Sequence, residues 1–363
     1  MRIVFLANAD IGLYKFRKEI VEHFCKDNEV IIVLPNGEYI PQLTKLGCTF
    51  IEFNFNRRGM NPFADINQIL RYYKLLKELL PDVVLTYTIK PNVYGGIACQ
   101  MLKIPYISNV TGLGTSIENG GLLSFITKAL YKLGLKKCNC VFFQNKSNQS
   151  LFVDHNMVKG KSVLIPGSGV NLEANSYEQY PPDKTIIKFL FVGRIMRDKG
   201  INELLESAKI VKSQYPNTQF DIIGWSDENY DQILKEYQDD GIVIYHGLQS
   251  EMHDFYKDTN CVVLPSYHEG TANVLLEASA TGRPVITTRV PGCIETFDEG
   301  VTGFGCEAHS VESLVDAIIR FLSISDEDRK KMGLAARAKM EKEYDRKLVI
   351  AAYEQEIRSI ARR

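Results

Sequence analysis

No stretch of this 363-residue chain holds the run of about 20 apolar residues that a spanning helix needs, so no segment reads as crossing a membrane. The opening Met1-Arg-Ile-Val-Phe-Leu-Ala-Asn-Ala-Asp10 meets polar residues almost at once and is expected to be a first strand, not a signal peptide. The eight cysteines (25, 48, 99, 138, 140, 261, 293, 306) form no C-x-x-C pair and mostly lie in apolar runs. That excludes a disulfide scaffold or a zinc knuckle and leaves reduced core residues of a cytoplasmic protein. The six histidines are scattered and no strand end carries Asp-x-Asp, so no metal site is expected. Asp326-Glu-Asp328 follows Ser325 and reads as charge capping a helix. Ala7-Asn-Ala-Asp-Ile-Gly12 contains a single glycine, which excludes the dinucleotide fingerprint of a Rossmann oxidoreductase. There is no short-period repeat and no low-complexity tract.

What is present alternates. Residues 2–8, 29–35, 48–55, 83–88, 106–110, 140–144 and 162–166 read as strands, separated by amphipathic segments such as 63–80 and 122–137. Residues 170–184 are polar and turn-rich and read as a linker. The alternation restarts with strands at 187–193, 219–224, 242–247, 261–264 and 285–290. The pattern predicts an α/β protein of two doubly wound, Rossmann-like domains, 1–170 and 171–343, with a helix over 344–363 returning to the first. Residues 1–180 carry 20 Lys+Arg against 14 Asp+Glu, so +6, while the remainder carries 23 against 30, so −7. This asymmetry points to an anionic partner on the first domain only, and not to nucleic acid.

Two constellations bear chemistry. In Ser266-Tyr-His-Glu-Gly-Thr-Ala-Asn-Val-Leu-Leu-Glu277, Glu269 falls on the loop after a buried strand, where open α/β sheets bind ligands. Glu277 lies one helical turn beyond Asn273 on the same face. Between them a helix N-terminus offers N–H groups and positive dipole to an anion. The second, Gly193-Arg-Ile-Met-Arg-Asp-Lys-Gly200, follows a strand and places Arg194 and Lys199 beside another helix start. Such a pair can clamp a diphosphate, although surface charges flanking a turn have the same pattern.

Taken together, Phe191-Val-Gly-Arg-Ile-x-x-x-Lys-Gly200, Ile222-Ile-Gly224, Val243-x-x-x-Gly247, Leu264-Pro-Ser266-x-x-Glu269-x7-Glu277 and Gly282-x-Pro-Val-Ile286 resemble the retaining glycosyltransferases of family 4, which have the GT-B fold. The first domain, through Tyr14-x-Phe16-Arg17, Asn61-Pro62, Lys90-x-Asn92 and Gly112-Leu113-Gly114, is similar to bacterial members that extend polyprenyl-diphosphate-linked saccharides for capsules, O-antigens or glycoprotein glycans. The resemblance implies two domains facing a cleft and a UDP-sugar as substrate, with no cofactor. By that resemblance Arg194 and Lys199 neutralise the leaving diphosphate. Glu277 holds the ribose, and Glu269 with Gly270, Thr271, Ala272, Asn273 and Val274 holds the sugar and β-phosphate. Gly193, Gly224, Tyr245, Gly247 and Leu248 frame the nucleotide, and Gly12 lets the phosphates approach the first domain. Lys90, Asn92, Arg57, Arg58 and Thr111 are the acceptor-side candidates.

Many family members carry a histidine after the fifth strand, but here that loop reads Ser108-Asn-Val-Thr-Gly-Leu-Gly114. Thr111 or Asn109 is left to meet the sugar, and neither is a base at neutral pH. This favours front-face substitution over double displacement, for which only Asp10 and Glu118 offer carboxylates. The alternatives are a GT-B sugar-nucleotide 2-epimerase and a non-catalytic binding subunit. The segment 122–137 spaces Lys128, Lys132 and Lys136 four apart among leucines, isoleucine and phenylalanine. It fits either a basic amphipathic helix at the inner membrane surface or a helix packing its apolar side on the sheet.

Overall fold

The computed structural model describes residues 1–54, 62–112, 121–182 and 186–362, which divide into two units, 1–168 with 347–363 and 169–346.

In the first unit β1 (Arg2–Leu6), α1 (Asp10–Cys25), β2 (Glu29–Leu34), α2 (Ile40–Thr44), β3 (Thr49–Glu52), α3 (Pro62–Leu79) and β4 (Val83–Tyr87) lead to a π-helical turn, Pro91–Gly95. Then follow α4 (Gly96–Leu102), β5 (Tyr106–Val110), α5 (Gly121–Gly134), β6 (Cys140–Phe143), α6 (Lys146–Asp154) and β7 (Lys161–Leu164). The seven strands form one parallel sheet in the order β3-β2-β1-β4-β5-β6-β7. Helices cover both faces, so the strands are near-continuous apolar runs. Along β1, Ile3 and Phe5 enter one core, while Val4 and Leu6 enter the other. The first of these cores is completed by Val349, Tyr353 and Ile357.

In the second unit β8 (Ile187–Val192), α7 (Ile201–Gln214), β9 (Thr218–Ile223), α8 (Asp231–Asp239), β10 (Ile244–Tyr245), α9 (His253–Asp258), β11 (Cys261–Leu264), α10 (Asn273–Ala280), β12 (Val285–Thr288) and β13 (Gly303–Cys306) build a second parallel sheet, β10-β9-β8-β11-β12-β13. The chain continues through α11 (Val311–Ser323), α12 (Asp326–Lys339) and α13 (Arg346–Ala361). Ser325 caps α12 by accepting the Asp328 N–H at 3.1 Å, as its sequence context implies.

One expectation changes, and one choice left open by the sequence is decided. Residues 170–182 are not a loose linker. Val170 bridges to Asp345, the Glu178 and Gln179 carbonyls each accept from Arg283 at 3.0 Å, and the buried Tyr180 hydroxyl donates to the Asn260 carbonyl. Its turn-rich polarity serves partners about a hundred residues away. Secondly, α5 packs inside out. It buries Ser124, Thr127, Tyr131 and Gly134 and leaves Leu122 76%, Phe125 71% and Leu133 56% exposed.

Candidate active site

In each sheet the strand order reverses once, between β1 and β4 and between β8 and β11, and crevices at the carboxyl ends of such strands bind ligands. The sharper constellation lies in the second unit. β8 ends at Val192 and Gly193 follows it, a 3-10 turn spans Arg197–Lys199, and α7 begins at Ile201. Opposite, the loop after β11 runs through Ser266 to α10. The two are joined where the Tyr267 N–H donates to the Asp198 carbonyl at 2.9 Å.

That junction brings Lys199 onto Glu269, with side chains only 18% and 14% exposed. The Ser266 hydroxyl donates to Glu269 Oε1 at 2.9 Å. The result is a largely desolvated ammonium–carboxylate pair at the strand ends, where charge interactions are much stronger than in water. Cys293 is fully buried nearby. Burial, followed by the charge of Glu269, pushes its thiol up to about 12, so it stays neutral. Arg194 lies further out, its side chain 44% exposed and 3.1 Å from Asp227.

Glu277, on α10, accepts from the Tyr256 hydroxyl at 2.9 Å. Burial and then the charge of Glu277 hold that phenol well above the ordinary tyrosine range, so Tyr256 remains a donor that aims the carboxylate. Tyr256 and Asp227 escape a reading by sequence spacing, because each meets its partner across more than 20 residues.

Helix α10 has no side-chain cap: its N-cap is Ala272. As its first residues, Asn273 and Val274 present N–H groups that no preceding turn accepts. The cradle expected from Gly270 to Asn273 is narrower than its sequence suggests, because the Ala272 N–H already donates to the Gly292 carbonyl at 2.9 Å. That contact needs glycine. Gly292 has φ +84°, and a Cβ there would lie 2.4 Å from the Glu269 carbonyl.

The nucleotide-framing candidates knit together. The Gly193 N–H donates to the Ile223 carbonyl, the Gly224 N–H to the Gly247 carbonyl, and the Tyr245 hydroxyl to the Gly224 carbonyl. Gly224 has φ +151°, and a Cβ would sit 1.7 Å from the Gly193 carbonyl oxygen, so the strand ends approach as no other residue permits. Leu248 stands 68% exposed beside them. Gly270 and Thr271 connect Glu269 to α10.

The acceptor-side candidates in the first unit fare unevenly. Lys90 faces Asp65 at 3.6 Å. Asn92 is fully buried on the π turn, accepting from Thr86 at 2.7 Å and donating to the Asn109 carbonyl at 2.9 Å. It braces β4 against β5 and is withdrawn as an acceptor contact. Thr111 is half-buried just past β5. Gly12 lies in the first turn of α1 with no atom within 4 Å of a Cβ position, so this unit's own packing does not demand a glycine there. Asp10 accepts the Tyr39 N–H at 2.8 Å. Arg57, Arg58, Asn61, Leu113, Gly114 and Glu118 lie outside the described residues. Among the described residues no three His, Cys, Asp or Glu side chains converge in a way that could hold a metal ion.

Comparison with known proteins accounts for most of the chain. Residues 2–145 match the family described as glycosyl transferase 4-like, and residues 174–339 match glycosyl transferases group 1. The N,N'-diacetylbacillosaminyl-diphospho-undecaprenol alpha-1,3-N-acetylgalactosaminyltransferase of Campylobacter jejuni is 29% identical, over 97% of each chain. The capsular polysaccharide biosynthesis glycosyltransferase CapM of Staphylococcus aureus is 27% identical, over 89% of this chain and 88% of its own. Among solved structures, Anabaena HepE in complex with UDP and glucose superposes with a TM-score of 0.80 at 17% identity, covering 99% of each chain. The chain therefore belongs to the glycosyltransferases of GT-B fold, a 4-like domain followed by a group 1 domain.

Proposed function

We propose that this enzyme transfers a hexose or N-acetylhexosamine from a UDP-sugar to a hydroxyl of a polyprenyl-diphosphate-linked saccharide, with retention and without a metal ion. The observation that carries this reading is the convergence of Lys199, Glu269 and the uncapped start of α10 at the reversal point of the second sheet. Fixed cations and amides there meet the charge that grows on a departing diphosphate, which is electrostatic preorganisation. Arg194 and Lys199 supply the positive charge that a divalent ion otherwise brings. The near full-length likeness to an enzyme acting on a diphospho-undecaprenol sugar supports the lipid-linked acceptor, and the alpha linkage in its name accords with retention.

The acid–base inventory favours front-face substitution. Asp10, one of two carboxylates considered for a covalent step, is engaged by the Tyr39 amide. In the front-face path the C1–O bond to the diphosphate breaks while the acceptor oxygen bonds to C1 on the same face. The acceptor's proton passes to the leaving phosphate oxygen, so no protein base is needed. Screening UDP- and GDP-sugars for nucleotide release with a polyprenyl-diphosphate-sugar acceptor tests the reading. A UDP-sugar should work, give an α-linked product from an α-donor, and turn over unchanged in EDTA. A β-linked product overturns retention, loss of activity in EDTA overturns metal independence, and epimerisation without acceptor points to a 2-epimerase.

The inverted packing of α5 supports a peripheral place at the membrane. Its outward face carries Leu122, Leu123, Phe125, Ile126 and Leu133, with Lys132 and Lys136 exposed and Lys128 half-buried. Helix α3, which like α5 packs on α4 and the π turn, exposes Phe63 at 85%, Ile66 at 57% and Leu70 at 47%. Apolar side chains edged by lysines suit an anionic lipid surface, each lysine contributing about 1 kcal/mol. Sedimentation with anionic liposomes at low salt, lost when Lys128, Lys132 and Lys136 become Glu, is the expected result.

A further inference from the structure

Helix α1 presents Leu13, Ile20, Val21 and Phe24 to the first sheet, and between them, on the same face, it presents Arg17 at 3% exposure. A buried guanidinium is costly unless its charge and its five N–H groups are met. The second unit shows what meeting them entails. Fully buried Arg283 donates to six backbone carbonyls, those of Tyr256, Lys257, Glu178, Gln179, Thr281 and Gly282. Arg17 has far less. Nη1 donates to the Phe16 carbonyl at 3.1 Å, Nη2 reaches the Gln144 amide oxygen at 2.9 Å when that amide is turned to suit both neighbours, and the guanidinium lies 5.7 Å from the Tyr87 ring centre. Among the described residues no carboxylate pairs with it.

Its surroundings are the carboxyl ends of β4, β5 and β6. Tyr87 and Asn109 face each other across β4 and β5, and Gln144 follows β6 directly. The turned Gln144 amide donates to the Thr111 carbonyl at 3.3 Å. Asn109 is 1% exposed and donates to the Tyr353 hydroxyl at 2.7 Å, yet its amide oxygen is buried with no partner. Beside Tyr87, Thr88 holds φ +71°, a left-handed conformation that a β-branched residue rarely adopts and that gathers at functional sites. A cation with no counter-ion among the described residues, an acceptor without a donor and a strained strand end thus share the side of the sheet where ligands bind.

We propose that Arg17 is the buried cation of an anion subsite at these strand ends, and that the anion is a phosphate oxygen of the acceptor's diphosphate, with Asn109 Oδ1 accepting a neighbouring hydroxyl. This rests on the proposed acceptor. The donor's phosphates carry the same chemistry, so the experiment separates the two. The full-length enzyme is assayed with a polyprenyl-diphosphate-linked sugar and with the same sugar as a neutral alkyl glycoside, for the parent, Arg17→Gln and Arg17→Lys. The parent should prefer the diphosphate acceptor and be inhibited by inorganic pyrophosphate competitively with the acceptor. Arg17→Gln should lose roughly 10²-fold of that preference, the scale of one charge-assisted contact, with its KM for the UDP-sugar unchanged, and Arg17→Lys should recover part of it. Unchanged discrimination in Arg17→Gln overturns the subsite, as does a rise in KM for the donor alone. Should Arg17→Gln fail to fold, pyrophosphate that does not compete with the acceptor on the parent overturns it equally. A parent that transfers to neither acceptor overturns the proposed reaction itself, a result distinct from the others.

Discussion

At the scale of single residues the site depends on a few contacts made in the dark of the fold. Lys199→Ala should lower kcat by roughly 10²–10³-fold, as for removal of one preorganised charge contact, with circular dichroism unchanged. Near-parental turnover would place the diphosphate elsewhere. Tyr256→Phe removes only the hydroxyl that aims Glu277. The expected result in initial-rate kinetics is a donor KM raised about 5–10-fold, from one lost hydrogen bond of about 1–1.5 kcal/mol, with kcat little changed. Arg283→Leu removes a charged donor from six backbone carbonyls, of which those of Tyr256 and Thr281 keep a backbone N–H. It should cost about 3–5 kcal/mol in urea denaturation, far more than its distance from the chemistry suggests. These residues were unequally legible beforehand. Glu269, Glu277 and Lys199 stand in a local pattern of strand, loop and helix start, and their spacing carries the information. Asn92 sits in an equally tempting motif, but only its neighbours Thr86 and Asn109 reveal that it is a brace. Arg17 appeared as one letter of a family pattern, and its burial depends on the whole sheet.

Among elements, α5 shows best why helix periodicity underdetermines a fold. The pattern of leucines and lysines marks two faces without saying which one the protein covers. Here the π turn and α4 approach closely, and a stripe of Ser124, Thr127, Tyr131 and Gly134 fits them better than leucines would. The usual rule for mutations should therefore run backwards. Phe125→Asp should leave stability within about 0.5 kcal/mol, as for an exposed position, while weakening liposome binding. Thr127→Leu should cost about 1–3 kcal/mol by overpacking. Comparing the two melting temperatures decides which face is inside. Twelve of the thirteen strands, by contrast, were readable to within a few residues, because a strand covered on both faces must be apolar throughout; β13, whose Gly303-Phe-Gly-Cys306 holds two glycines, was not. The segment 170–182 was misread for the opposite reason, since the arginine that orders it is remote in sequence.

For the whole molecule, the eight free thiols make a graded record of packing. Seven are buried and Cys25 is half-buried, its thiol held below the ordinary range by a hydrogen bond with Cys48. A thiol reagent at neutral pH should label Cys25 first and the remainder only on unfolding. Burial also sets an alkaline limit. Cys138, Cys293 and Cys306 are pushed from 9.0 up to about 11, 12 and 12. They keep their protons in the folded chain after the unfolded chain has lost them, so the stability they contribute is complete below pH 9 and is lost as pH climbs toward 12. Chemical denaturation at pH 8 and pH 10.5 should show the fall. Finally, the membership of residues 347–363 in the first unit imposes an order in time. Tyr353 stacks near Tyr87 and Phe142 and receives the Asn109 amide, yet a ribosome makes it only after residues 169–346 have been polymerised. At about 5–20 residues per second, the nascent first unit waits on the order of ten seconds or longer with one core uncovered. A growing chain therefore cannot complete the ends of β4 and β5 before the second sheet has been synthesised.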